Sequence, residues 1–342
     1  MMVLVLCANA GIDRIYEVEN FAPGQYHIPR RYRVAAGGKG INVARTLRLL
    51  GTDVLLTGFA GGLGGRLLQQ QMVNLGVQPF LVPIAEESRV CIQIVDTKSR
   101  SQTRLDEVGP LVTPSEVEGL QRRWIRLLAK AQVAVIAGNV PRGVPLNLYA
   151  DLIRLAQRSR VPILLDAHDE LLARAIEAKP RLIKPNLEEL QALMGRPISV
   201  PEGVLQAIQE LIGLGIDTVV VTLGARGAIA ANARQERYWV KPGPMDCISA
   251  VGSGDAMMGG IAAAWAAGRG LAEQLRLGTA AAAANCTTFD PCAFEARTLH
   301  QCLQAVTLTP LTPGGSPQEE ATDGLGRTEE QQAGGIADQS GE

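Results

Sequence analysis

The chain has 342 residues, enough for one large α/β domain with a full core, and its 33 Lys plus Arg nearly cancel its 34 Asp plus Glu. A net charge of -1 supplies no global field for nucleic acid or an anionic membrane, so any affinity for a charged ligand has to be local. Aromatic residues make up 4%, too few for a nucleic-acid stacking surface.

Short Val/Ile/Leu runs alternate with amphipathic stretches. Residues 3–7 read as a first buried strand, too short to span a bilayer and running into Asn9 and Asp13 rather than a cleavage site. Further strands are predicted at 54–59, 133–137, 163–166, 182–184 and 218–222, and helices near 40–50, 64–75, 114–129, 146–158, 168–177 and 202–213. This order predicts an α/β fold whose mainly parallel sheet is covered by helices on both faces, with ligands gathered at the carboxyl ends of its strands. Two segments, about 12–34 and 89–107, break the alternation and predict a small accessory β-sheet serving as a lid. The Ala-rich stretches 259–267 and 279–284 are too short for membrane spans and read as close-packed internal helices. From about Pro310, Pro, Gly, Ser, Gln and Glu dominate, so 310–342 is expected to be a disordered tail behind a domain of residues 1–309. Cys7, Cys91, Cys247, Cys286, Cys292 and Cys302 form no CxxC pair and suit a reduced, cytoplasmic setting.

The chemistry concentrates where Gly252-Ser253-Gly254-Asp255 runs into an apolar, small-residue helix. Amides at such a junction lack helical acceptors and the helix dipole adds positive charge, so the turn suits an anion, which glycines let approach closely. Asp255, in the first turn, can take a proton from an attacking hydroxyl; it also suits an acid that only complements the dipole. A dinucleotide fingerprint would need glycine where Met257 stands, and Gly37-Gly38-Lys39-Gly40 lacks the Ser or Thr of a P-loop. His27, His168 and His300 have no partners at zinc-ligand spacing, and no Gly-x-Ser-x-Gly suggests a hydrolase.

Ala250-Val251-Gly252-Ser253-Gly254-Asp255 resembles the C-terminal signature of the PfkB (ribokinase-like) carbohydrate kinases, and Ala36-Gly37-Gly38-Lys39-Gly40-Ile41-Asn42-Val43-Ala44 resembles the N-terminal one. Asn9-Ala10-Gly11-Ile12-Asp13, Lys184-Pro185-Asn186-Leu187-Glu188-Glu189 and Thr222-Leu223-Gly224-Ala225-Arg226-Gly227 add matches in the same order, over roughly residues 3–305. Within the family, the chain is most similar to the branch holding 1-phosphofructokinase, the minor 6-phosphofructokinase and tagatose-6-phosphate kinase.

The resemblance implies a three-layer ribokinase-like fold and phosphoryl transfer from ATP, with Mg²⁺, to a sugar phosphate, fructose 1-phosphate first among the candidates. Fructose 6-phosphate, tagatose 6-phosphate, another sugar or a nucleoside are alternatives, and a non-catalytic sugar-phosphate sensor is the competing class. By resemblance, Asp255 is the base and the amides of Gly252, Ser253 and Gly254 form the anion hole. Asp13 and Asn42 would bind sugar hydroxyls, Gly37, Gly38 and Lys39 complete the cradle, and Arg89 and Arg142 meet the sugar's phosphate. Lys184, Asn186 and Glu189 would serve the nucleotide phosphates, Asn186 and Glu189 acting on the metal through water. Thr222, Gly224 and Gly227 would hold nucleotide phosphate and ribose, and Asn285 would line the adenine pocket. A homodimer through the lid is expected as well. The pattern departs from relatives at Asn9-Ala10-Gly11, at Gly138-Asn139-Val140-Pro141-Arg142-Gly143 and at Thr103-Arg104-Leu105-Asp106-Glu107-Val108-Gly109, all near the expected sugar or lid.

Overall fold

The computed structural model describes residues 1–99 and 101–312. Strand β1 (Met2–Cys7) is buried from Val3 to Leu6, so it needs a sheet covered on both faces. The chain then builds β2 (Gly11–Val18) and β3 (Arg31–Gly37) of a second sheet, and returns through α1 (Lys39–Leu49), β4 (Asp53–Gly61) and α2 (Gly62–Asn74). Short strands β5 (Gln78–Pro79) and β6 (Val82–Ile84) pair with β4, after which β7 (Arg89–Asp96) and β8 (Gln102–Asp106) complete the second sheet. Regular alternation follows: α3 (Pro114–Leu128), β9 (Val133–Ala137), α4 (Leu148–Arg158), β10 (Ile163–Asp166), α5 (Asp169–Ile176), β11 (Leu182–Ile183), α6 (Leu187–Met194), α7 (Glu202–Gly213) and β12 (Thr218–Thr222). The described part ends with β13 (Ala228–Asn232), β14 (Arg237–Lys241), α8 (Ser253–Ala266), α9 (Leu271–Cys286), α10 (Ala296–Ala305) and β15 (Thr307–Pro310).

The main sheet runs β15-β14-β13-β12-β11-β10-β9-β1-β4-β5, parallel from β5 to β12 and antiparallel beyond. Because strand side chains alternate, Leu4 and Leu6 enter a core with Trp124 and Tyr149, while Val3 and Val5 enter another with Ile41, Met258 and Ile261. In the second core the small residues have a purpose: a Cβ on Gly260 of α8 would sit 2.8 Å from the Cα of Gly278 of α9. The Ala-rich segments are thus the tightly packed helices expected, and among the described residues no helix is long and apolar enough to cross a membrane.

The small sheet, in order β3-β2-β7-β8, occupies both segments that broke the alternation. Its register puts Asp13, Cys91, Gln93, Arg104 and Asp106 on one face and Tyr16, Tyr32, Val34, Ile94 and Leu105 on the other. Strands β13, β14 and β15 escaped the sequence reading, since Ala228-Ile229-Ala230-Ala231 carries little strand signal and β15 is short and partly polar. The folded part also runs past the expected boundary, because Pro310 belongs to β15 and Leu311 is buried, its amide bonded to the Arg237 carbonyl at 3.0 Å. The remainder of the expected tail, 313–342, lies outside the described residues.

Candidate active site

A cleft of about 490 Å³ opens at the carboxyl ends of β1, β9, β10 and β12, with the polar face of the small sheet along one side. Asp255 stands on its wall, only 6% exposed. Helix α8 starts after Gly252, whose φ of 83° is a left-handed value that favours glycine, and this places Asp255 in the first turn. Asn42 of α1 donates to its Oδ2 at 2.8 Å, which joins the two glycine-rich segments across the cleft. Burial, reinforced by the negative charge of Asp166, raises the Asp255 carboxyl to about 6 despite Lys39, Asn42 and Lys184. A carboxylate so tuned is ionised at neutral pH and still basic enough to accept a proton.

The anion turn is built differently from the expectation. Among the described residues the amides of Gly252, Gly254 and Asp255 have no acceptor, whereas the Ser253 amide donates to the Ala250 carbonyl at 3.1 Å. Ser253 is absent from the cleft wall; its hydroxyl accepts from Asn285 at 2.9 Å and meets Cys286 Sγ at 3.2 Å. Closing the turn consumes one amide, so the donors left for an anion are those of residues 252, 254 and 255. Asn285, expected beside adenine, is 1% exposed and lies behind the turn rather than along the cleft. Its Nδ2 also donates to the Val251 carbonyl at 2.9 Å, and its Oδ1 accepts from the Cys292 amide at 2.6 Å, so its whole amide is used to brace the loop.

Asp166, at the end of β10, is 1% exposed; the sequence places it at a strand end and in the turn that follows, and assigns it no role in the site. Lys39 Nζ donates to its Oδ1 at 3.2 Å, and Lys184 Nζ forms an ion pair with its Oδ2 at 3.1 Å without directed hydrogen-bond geometry. Burial alone would raise Asp166, but Lys184 and Lys39 overcome it and hold its carboxyl below the usual range. Burial likewise pulls Lys39 down, yet Asp166, Asp255 and Glu189 outweigh it and keep the ammonium charged. Lys39 therefore faces the cleft as positive charge with Lys184 beside it, a pair suited to phosphate. An acid at the end of a buried parallel strand was the available signal.

Toward the small sheet, Asp13, Gly38 and Arg89 line the cleft as expected. Gly37 does not line it, but a Cβ there would run into the Asp13 carboxyl, so its role is to leave that group room. Asp13 is raised by burial, against Arg45, Arg104 and Arg89. Arg89 Nε donates to the Asn9 carbonyl at 3.1 Å. Arg142, expected at the sugar's phosphate, borders a neighbouring groove instead, where it pairs with Glu86 at 3.1 Å and donates to the Gly109 carbonyl at 2.9 Å. Arg104 of β8 lines the cleft in its place, paired with Asp106 at 2.8 Å, and the sequence reading had not selected it.

At the other end lie Lys184, Asn186, Glu189 and Thr222. Asn186 caps α6, accepting from the Glu189 amide at 2.8 Å, while Glu189 Oε2 accepts from the Asn186 amide at 2.8 Å. This reciprocal cap fixes the glutamate and leaves Oε1 without a protein donor among the described residues. No group of three or more His, Cys, Asp or Glu among those residues could cage a metal. That donor set fits a hard cation that keeps most of its water and is held by one carboxylate and by phosphates. Gly224, with φ 62°, and Gly227, with φ 84°, shape the turn after β12 without lining the cleft; a Cβ on Gly227 would strike the Val240 carbonyl.

Comparisons with known proteins identify the family and the fold. Residues 2–297 match the profile of the pfkB family carbohydrate kinases. Tagatose-6-phosphate kinase of Staphylococcus epidermidis is 32% identical over 264 residues, spanning 76% of this chain and 84% of that protein. Phosphofructokinase-2 from Escherichia coli, in complex with substrates and products, superposes with a TM-score of 0.84 at 27% identity, over 89% of this chain and 99% of that one. A protein described as a possible 1-phosphofructokinase from Thermotoga maritima gives 0.83 at 25% identity, over 91% and 100% of the two chains.

Proposed function

The chain belongs to the pfkB family of carbohydrate kinases and is a sugar-phosphate phosphotransferase, and from that premise we propose that it converts fructose 1-phosphate and ATP to fructose 1,6-bisphosphate and ADP. The observation that carries the reaction is Asp255, buried beside free amides and bonded to Asn42 of the Gly-Gly-Lys-Gly helix at 2.8 Å. Asp255 takes the proton of the sugar hydroxyl as its oxygen attacks the γ-phosphorus, and the amides of Gly252, Gly254 and Asp255 face the charge of the transferring group. Lys39 and Lys184, steadied by Asp166, hold phosphate oxygens. Glu189 and Asn186 would hold a hydrated Mg²⁺, which when bound would supply charge neutralisation for the phosphates.

Asp13 and Asn42 orient the sugar, and Arg89 with Arg104 provides the guanidinium pair that suits its phosphate, since the planar fork matches two oxygens. A second reading, tagatose 6-phosphate as substrate, is favoured by the 32% identical relative from Staphylococcus epidermidis. A coupled ADP-release assay across fructose 1-phosphate, fructose 6-phosphate and tagatose 6-phosphate, run beside Asp255→Asn, decides among them. Turnover lost in the variant supports the kinase, and the sugar with the highest kcat/KM names the substrate; tight sugar binding with no turnover in either protein makes it a sensor.

We also place the protein in the cytoplasm as a homodimer. The outer face of the small sheet exposes Tyr32 at 66% and Leu105 at 68%, an apolar surface that pairing of two sheets would cover. A structure of the Escherichia coli relative is described as tetrameric. Light scattering that returned a strict monomer at micromolar concentration would count against this assembly.

A further inference from the structure

Behind the anion turn two cysteines from distant parts of the chain come together. Cys286 ends α9, and its carbonyl accepts from the amides of Ile248 at 2.7 Å and Ser249 at 3.2 Å, which fixes residue 247 beside it. That backbone pairing makes the Cys247 and Cys286 side chains neighbours, and Cys286 Sγ lies 3.2 Å from the Ser253 hydroxyl. Cys247 is exposed and Cys286 half-buried. We propose that Cys247 and Cys286 form a reversible disulfide on exposure to a hydroperoxide, and that the cross-link switches off the anion-binding turn of residues 249–254.

Three of the other four thiols do not compete, and Cys302, half-buried and also a neighbour of Cys286, lacks the exposure of Cys247. Cys7, Cys91 and Cys292 are buried, and burial pushes their thiols to about 11, about 12 and about 12, so none presents a thiolate to an oxidant. Burial and the neighbouring Cys286 thiol raise Cys247 as well, so its reaction is slow. Its advantage is access combined with a partner in place.

In the first step the Cys247 sulfur attacks a hydroperoxide oxygen, the O–O bond breaks, and a sulfenic acid and an alcohol or water result. The Cys286 sulfur then attacks the sulfenic sulfur, the S–S bond forms and water leaves, so two electrons and both thiol protons pass to the oxidant. A dithiol reverses the sequence by exchange. A bonded sulfur pair sits at roughly 2.05 Å, closer than two thiols in contact. Forming it draws the start of the 247–254 segment toward α9 and pulls Cys286 away from Ser253, whose hydroxyl helps to close the turn presenting Gly252 and Gly254.

The test uses the full-length protein treated with hydrogen peroxide, alkylated and mapped by peptide mass spectrometry, with Cys247→Ser as the control variant. A Cys247–Cys286 linkage with a mass loss of about 2 Da is expected, together with a loss of activity of about fivefold or more that a dithiol restores. Cys247→Ser keeps its basal turnover and resists the oxidant. A linkage of Cys286 to Cys302, no linkage at all, or equal inactivation of Cys247→Ser overturns the proposal. The activity readout rests on the kinase reading, but the peptide map does not, so failure of one is distinguishable from failure of the other.

Discussion

Replacing Asp255 by Asn should inactivate the protein and stabilise it. The folded carboxyl ionises at about 6 rather than 3.8, chiefly because it is buried and next because Asp166 opposes its charge. Ionising it therefore costs more in the folded state than in the unfolded chain. Below the unfolded value both states hold the proton and no penalty exists; it grows as pH rises through the window from 3.8 to about 6 and is complete above it. A difference of this size corresponds to roughly 3 kcal/mol, an order-of-magnitude figure for a group coupled to Asp166. Asparagine has the same shape, carries no charge, and its Oδ1 can still accept from Asn42. Ligand-free thermal unfolding should place the variant roughly 5 °C above the parent near pH 8, with the gap closing near pH 4. Turnover falls ~10²–10⁴-fold, the usual contribution of a positioned base. A gap that is the same at both pH values, or a variant that melts lower near pH 8, refutes the account of Asp255 as a carboxylate held at an electrostatic cost.

The same carboxyl sets a pH profile: kcat/KM should fall as pH drops through about 6, because the base of the free protein becomes protonated, and a flat kcat/KM profile across that range would remove Asp255 from the chemistry. Gly37→Ala pushes a methyl group into the Asp13 carboxyl, so the sugar-phosphate KM should rise ~10-fold or more with the ATP KM nearly unchanged; equal changes in both would argue for a general folding defect. Asn285→Ala strips the brace from the anion turn and leaves the buried Cys292 amide unpaired, costing ~1–3 kcal/mol. Its melting temperature and kcat should both drop while the ATP KM changes little, whereas an adenine contact would show mainly in that KM.

Much of this protein was legible without coordinates because the informative features are local. A buried strand followed by an amphipathic helix is encoded in a short window, and so is a glycine turn that opens a helix; Gly252 needs a left-handed backbone whatever surrounds it. The Asn186 and Glu189 pair is similarly local, since a capping box closes within one turn. The glycine turn pointed to Asp255, and the resemblance of the motif windows to the family singled out Lys39, Asn42 and Asp13.

What the windows could not decide were relations set by pairing and packing. Asn42 and Asp255 lie 213 residues apart, and only the docking of α1 against α8 puts them in contact. Whether Ser253 offers its amide depends on a carbonyl that closes the turn, and Asn285 was assigned to a ligand because its helix was known but its facing was not. Arg104 enters the cleft through the register of β7 and β8, which turns alternate residues to opposite faces, while Arg142 is drawn aside by Glu86. Local sequence specifies backbone conformation through steric preference over a few residues, but the direction in which a side chain spends its hydrogen bonds is settled by neighbours that arrive from elsewhere in the chain.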